Sequence, residues 1–127
     1  MTGRNDPLFL SLETVYLLHR KSLQRHGGLD GVRDEGAIES ALAAAQNTWL
    51  YGDGDKFDIA AAYAFHIAES QAFLDGNKRT AVACALTFLK GSRYDETMLY
   101  DAMIAIARRE MDKAALAAVL RGQFPQA

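Results

Sequence analysis

The stretch FDIAAAYAFHIA (57–68), the connector SQAFLDGN (70–77) and the stretch KRTAVACALTFLK (78–90) decide how this chain folds. From Phe57 through Ala68 the residues are apolar almost all round, which marks a helix buried on most of its surface. Ala81, Ala85, Leu86, Phe88 and Leu89 follow helical spacing up to a natural stop at Gly91, so a second buried helix is predicted from about Lys78 to Lys90. Ser70–Asn77 must then reverse the chain between two helices that share one core.

Working outward, Ser11 can cap a first helix carrying Leu12, Val15, Leu18 and Leu23, which Gly27-Gly28 stops. Asp34 is the expected cap of a second helix with Ile38, Ala41, Leu42 and Ala45, ending near Gln46 or Asn47. Thr48 to Asp55 is turn-rich and reads as a loop anchored by Trp49 and Tyr51. Asp95 is expected to start a further helix through Met98, Met103 and Ile106, and Asp112 a last one through Leu116, Val119 and Leu120. The methionines read as core packing. No segment alternates with period two for long enough to suggest a sheet. The expectation is an all-α fold of about six helices, one domain over residues 1–127, with residues 1–9 as a flexible tail.

The 127 residues are 50% hydrophobic and 24% charged, the balance of an ordinary globular protein. A net charge of −2 without a cationic stripe argues against binding to a nucleic-acid backbone. No apolar run is long enough to span a bilayer and Met1–Pro7 lacks the pattern of a signal peptide, so a cytoplasmic location is expected. The single Cys84 falls in an apolar helix and reads as a small core residue.

The connector carries the chemistry. Gly76-Asn77 allows a tight turn, and the helix after it offers unpaired backbone N–H groups and the positive end of its dipole, a natural seat for phosphate. Lys78 and Arg79 lie in its first turn, where a cation opposes the dipole unless an anion is bound. Asp75 is placed to hold a magnesium ion that bridges phosphate oxygens. Phe73 reads as an apolar peg that fixes the turn to the core. The Walker A pattern is absent. Asp53, Asp55 and Asp58 lack the EF-hand spacing and read as a solvated loop and a helix cap. His66 would lie about 140° around the helix axis from Gln71 and reads as a packing or hydrogen-bonding residue. His19 and His26 are expected to have structural roles at most.

Phe73-Leu74-Asp75-Gly76-Asn77-Lys78-Arg79-Thr80 resembles the motif of the Fic family, in the form with lysine after asparagine that typifies its death-on-curing (Doc) branch. Leu18-His19, His26-Gly27-Gly28, Gly31-Val32-Arg33-Asp34 and Tyr51-Gly52 resemble the family's upstream pattern, so the likeness runs from about Leu10 to Leu89. The resemblance implies a helical nucleotide-dependent transferase. Asp75 would face magnesium, Gly76 and Asn77 would cradle phosphate with their backbone groups, Arg79 would pair with phosphate oxygens and Phe73 would be structural.

AMP-transferring members of the family have glycine where Lys78 stands and a second arginine at Val82. Their absence favours phosphoryl transfer from ATP to a threonine of elongation factor Tu, the chemistry of the Doc branch, with an antitoxin as partner. Gln71 stands where the family has its catalytic histidine. An amide cannot take a proton from a hydroxyl, so catalysis by this chain is expected to be impaired. AMP transfer, or nucleotide or protein binding without transfer, are the alternatives that the residues leave open.

Overall fold

A computed structural model describes residues 7–52, 54–89 and 112–123. Its five described helices are α1 (Leu12–His26), α2 (Glu35–Gly52), α3 (Lys56–Ser70), α4 (Asn77–Phe88) and α5 (Lys113–Gln123). The apolar surface of α3 has one physical outcome: three of the other described helices pack around it. Phe57, Ile59, Tyr63 and Ile67 are buried, and Ala60, Ala61, Ala62 and Ala64 let the neighbouring helices approach closely. Helices α2, α4 and α5 all pack on α3, while α1 lies mainly against α4. Leu116, Ala117 and Leu120 spend the apolar face of α5 in the same core.

The start signals act as their chemistry requires. Ser11 accepts the Thr14 N–H at 3.1 Å, Asp34 accepts the Ala37 N–H at 3.1 Å and Asp112 accepts the Ala115 N–H at 2.8 Å. Asp55 accepts from Phe57 and Asp58, and the Asp58 carboxylate accepts the Asp55 N–H in return, a reciprocal cap on α3. Gly27, at φ +78°, closes α1 by donating its N–H to the Leu23 carbonyl.

One boundary differs from expectation. Helix α2 runs on to Gly52 instead of ending at Gln46 or Asn47. Thr48 donates its hydroxyl to the Ala44 carbonyl one turn back at 3.0 Å, and Trp49 packs against the core, so packing carries the helix through residues of weak propensity. The exposed Leu50 and Tyr51 lie on its outer side. The helix expected from Asp95 through Met98, Met103 and Ile106 lies outside the described residues. Within the segment expected to be a tail, Phe9 stacks on Phe88 with ring centroids 6.4 Å apart, and the neighbouring Leu10 donates its N–H to the Tyr63 hydroxyl at 2.8 Å. Among the described residues no strand forms, only an isolated bridge between Val32 and Phe73, and no helix is long and apolar enough to cross a membrane.

Arg121 of α5 reaches both Asp55 oxygens at 3.0 Å and so ties the last described helix to the cap of the central one. Burial pushes the Asp55 carboxyl up, but the hydrogen bonds from Arg121 and from Asp58 outweigh it and hold the group below its ordinary value. A carboxyl depressed in the folded state stabilises the fold above its unfolded pKa and stops doing so as pH falls through the folded value. Asp55→Ala is therefore expected to cost about 1 kcal/mol at neutral pH, mostly through the lost cap. Urea unfolding of both proteins should show that gap closing only in acid, below the ordinary carboxylate range. A gap independent of pH would contradict the role given to the carboxylate.

Candidate functional site

Helix α3 stops because Gln71 takes the left-handed conformation, at φ +50° and ψ +36°. This costs a non-glycine residue about 1–2 kcal/mol, so the surroundings must hold it. Ser70 donates its hydroxyl to the Ile67 carbonyl at 2.7 Å, and the same oxygen accepts the Ala72 N–H at 3.3 Å. The Ala72 carbonyl accepts the N–H groups of Arg33 and Asp34, and Leu74 donates to the Gly31 carbonyl at 3.1 Å. The loop before α2 is thus laid along the turn.

Phe73 is fully buried, as a peg must be. Its ring stacks on His19 at 3.8 Å between centroids and meets Tyr16 edge-on at 6.3 Å. Asn77 closes a double clamp on the same residue: its Oδ1 accepts the Phe73 N–H at 3.0 Å and its Nδ2 donates to the Phe73 carbonyl at 2.9 Å. The sequence reading gave Asn77 only a backbone task, so this side-chain clamp is an added role.

Beyond the clamp, Gly76 sits at φ +83° as the first flanking residue of α4, and no side chain caps that helix. Asp75 is held at both ends. His19 Nε2 lies 2.8 Å from its carbonyl oxygen, and Leu29 donates its N–H to carboxylate Oδ2 at 2.7 Å. Gly28, at φ +121°, permits this approach, because a Cβ there would stand 3.1 Å from the Asp75 Cβ.

These residues enclose a pocket of about 250 Å³ lined by Gln71, Leu74, Asp75, Gly76, Asn77, Lys78 and Arg79. Every polar residue expected at the site is brought to one place, with Phe73 behind it. The volume falls short of the roughly 300–1,000 Å³ of pockets that enclose whole small molecules, so it suits the phosphate end of a ligand. With no acidic residue in its first turn and no side-chain cap, the start of α4 favours an anion, and Lys78 and Arg79 add charge of the right sign. A larger groove of about 1180 Å³, lined by Phe9, Trp49, Ile59 and Phe88 among others, contains none of these residues.

The donor set also bears on magnesium. Among the described residues no group of three or more His, Cys, Asp or Glu could hold a metal ion. Asp75 offers one carboxylate with one oxygen already engaged, which fits a magnesium ion arriving with phosphate and water but not a standing protein cage.

His66 does not line the pocket. It faces α5, 3.1 Å from Lys113 Nζ, and burial followed by that ammonium pushes its pKa down. The buried Cys84 thiol is pushed up to about 12 by desolvation and stays a core residue. The contributors missed by sequence reasoning are the Leu29 N–H and the inward reach of His19. His19 falls four residues after Val15 on the buried face of α1, a faint signal that one polar side chain points inward.

Residues 9–89 match the Fic/DOC family. Over 122 residues, 93% of this chain and 97% of the relative, the sequence is 32% identical to Protein kinase doc of Escherichia phage P1. Over 105 residues, 76% of this chain and 80% of the relative, it is 38% identical to Toxin Doc of Mycolicibacterium smegmatis.

The peg is open to direct test. Phe73→Ala should lower stability by about 3–5 kcal/mol, since the ring is fully buried between His19 and Tyr16. Denaturant unfolding measures the loss, and a variant as stable as the parent would show that the ring does not anchor the turn.

Proposed function

The chain belongs to the Fic/DOC family, and on that premise we propose that it is a Doc-type toxin that moves the γ-phosphoryl group of ATP to a threonine of elongation factor Tu. The observation that carries this reading is the convergence of Asp75, Lys78, Arg79 and the uncapped start of α4 on one phosphate-sized pocket. Phosphoryl transfer asks a protein chiefly for positioning and charge stabilisation, and these groups supply both. Lys78 occupies the position that glycine leaves open in AMP-transferring relatives. Val82, where those relatives carry a second arginine, is buried in the core. The name of the phage relative, a protein kinase, points the same way.

In this account the backbone N–H groups at Gly76 and Asn77 bind phosphate oxygens and Arg79 pairs with them. The Lys78 ammonium offsets charge on the transferred group. Magnesium, when bound through Asp75, would neutralise phosphate charge. Gln71 lies at the pocket wall with its Nε2 turned back to the Ala68 carbonyl at 3.2 Å, which leaves its amide oxygen to orient the threonine hydroxyl by accepting a hydrogen bond. It cannot take the proton, so transfer is slow. An antitoxin that covers the pocket restrains what activity remains, and the reaction takes place in the cytoplasm, where translation factors work.

Incubation with elongation factor Tu and ATP labelled at either the γ or the α phosphate tests the reaction class. The γ label should appear on the protein. Transfer of the α label would make the chain a nucleotidyl transferase, and ATP binding with neither transfer would make it a binding protein, the reading that Gln71 favours. Gln71→His should then raise the single-turnover rate by about a hundredfold and add an inflection near pH 6.5, roughly the ordinary histidine pKa. ATP affinity should hardly change, because the phosphate contacts are untouched. No gain in rate with a substrate that takes label would remove Gln71 from the base position.

A further inference from the structure

His19 is a polar side chain that the chemistry just proposed does not use, yet it is only 3% exposed and meets the turn at three points. Its ring lies on Phe73 with 13° between the planes, its Nε2 is 2.8 Å from the Asp75 carbonyl oxygen, and a Cβ on Gly76 would stand 3.5 Å from its Cδ2. The imidazole therefore fills the inside of the turn. A carbonyl only accepts, so Nε2 must carry the proton.

Stacking on Phe73 asks only for a flat apolar ring, whereas the bond to Asp75 asks for a donor at that ring position. The donor matters because Asp75 is the residue held at both ends. Its carboxylate is fixed by the Leu29 N–H, and Leu29 follows the Gly27-Gly28 end of α1, the helix that carries His19. One rigid helix thus sets the backbone of Asp75 directly and its side chain through the residues just after its C-terminus.

We propose that His19 is a positioning residue for Asp75, whose donated Nε2–H keeps the α3–α4 turn in the one register where the carboxylate and the start of α4 face the same pocket. This rests on the assignment of Asp75 and the α4 start to magnesium and phosphate. Partners that orient a metal-binding carboxylate are expected to change affinity by about ten- to a hundredfold when removed.

The test separates ring from donor. His19→Phe keeps the stack and removes the donor, whereas His19→Gln restores an N–H at nearly the same reach. Calorimetry with ATP and magnesium should show His19→Phe binding at least about tenfold more weakly, and His19→Gln recovering most of that loss. Equal losses in both variants would make His19 a packing residue only.

A second readout does not need nucleotide. Amide exchange at Leu29, whose acceptor is the Asp75 carboxylate, should speed up by about tenfold in His19→Phe and return towards the parent in His19→Gln. If the parent fails to bind ATP with magnesium, the phosphate-site reading falls, and Leu29 exchange alone still decides the positioning role. Should His19→Phe not fold, nitrogen NMR of the unaltered protein decides instead: a protonated, exchange-protected Nε2 supports the proposal, and an unprotonated Nε2 overturns it. A folded His19→Phe with parental affinity and parental Leu29 exchange also overturns it.

Discussion

Burying Phe73 asks that the backbone groups it carries inward find partners, because an unpaired N–H and C=O in the core would together offset much of what the ring gains. The Asn77 carboxamide meets that demand by pairing with both the N–H and the carbonyl of Phe73. The rest of the turn follows from this clamp. With Asn77 committed inward, Gly76 is left to lead into α4 in a left-handed conformation, and it has no side chain with which to cap the helix. Every other described helix starts under a serine or aspartate that satisfies an early N–H group. Among the described helices only α4 starts with no side-chain cap over its donors.

Electrostatics make that opening selective. Asp55 and Asp112 complement the dipoles of α3 and α5 with negative charge, while α4 begins with Lys78 and Arg79, which repel its positive end. In the proposed function a bound phosphate would remove both the open donors and the repulsion. Asp75 is a single carboxylate, anchored by Leu29 and by its own carbonyl against α1, and the proposed magnesium ion would meet it in the company of phosphate.

Local chemistry was legible in the sequence wherever it was decided by neighbours along the chain. Ser11, Gly27, Asp34 and Asp112 end or start helices where their capping chemistry requires, and Asp75, Asn77, Lys78 and Arg79 of the FLDGNKRT segment line one pocket. The end of α2 was misplaced because Thr48, Trp49 and Tyr51 have poor helix propensity while packing of Trp49 carries the helix on to Gly52. The bond from His19 to Asp75 spans 56 positions, and the one from Leu29 spans 46. Such contacts exist only after α1 has docked on α4, and no spacing rule announces them. By sequence Asn77 is only a turn residue, because a clamp on a residue four positions back depends on the left-handed Gly76 between them.

Whether the start of α4 is the phosphate seat is tested most directly by amide chemical shifts measured while ATP and magnesium are added. The largest changes are expected at the backbone N–H groups of Gly76, Asn77, Lys78 and Arg79, with a smaller response at Leu29 through the Asp75 carboxylate. Changes centred instead on the groove between Phe9, Trp49 and Phe88, with Gly76 to Arg79 unmoved, would contradict it.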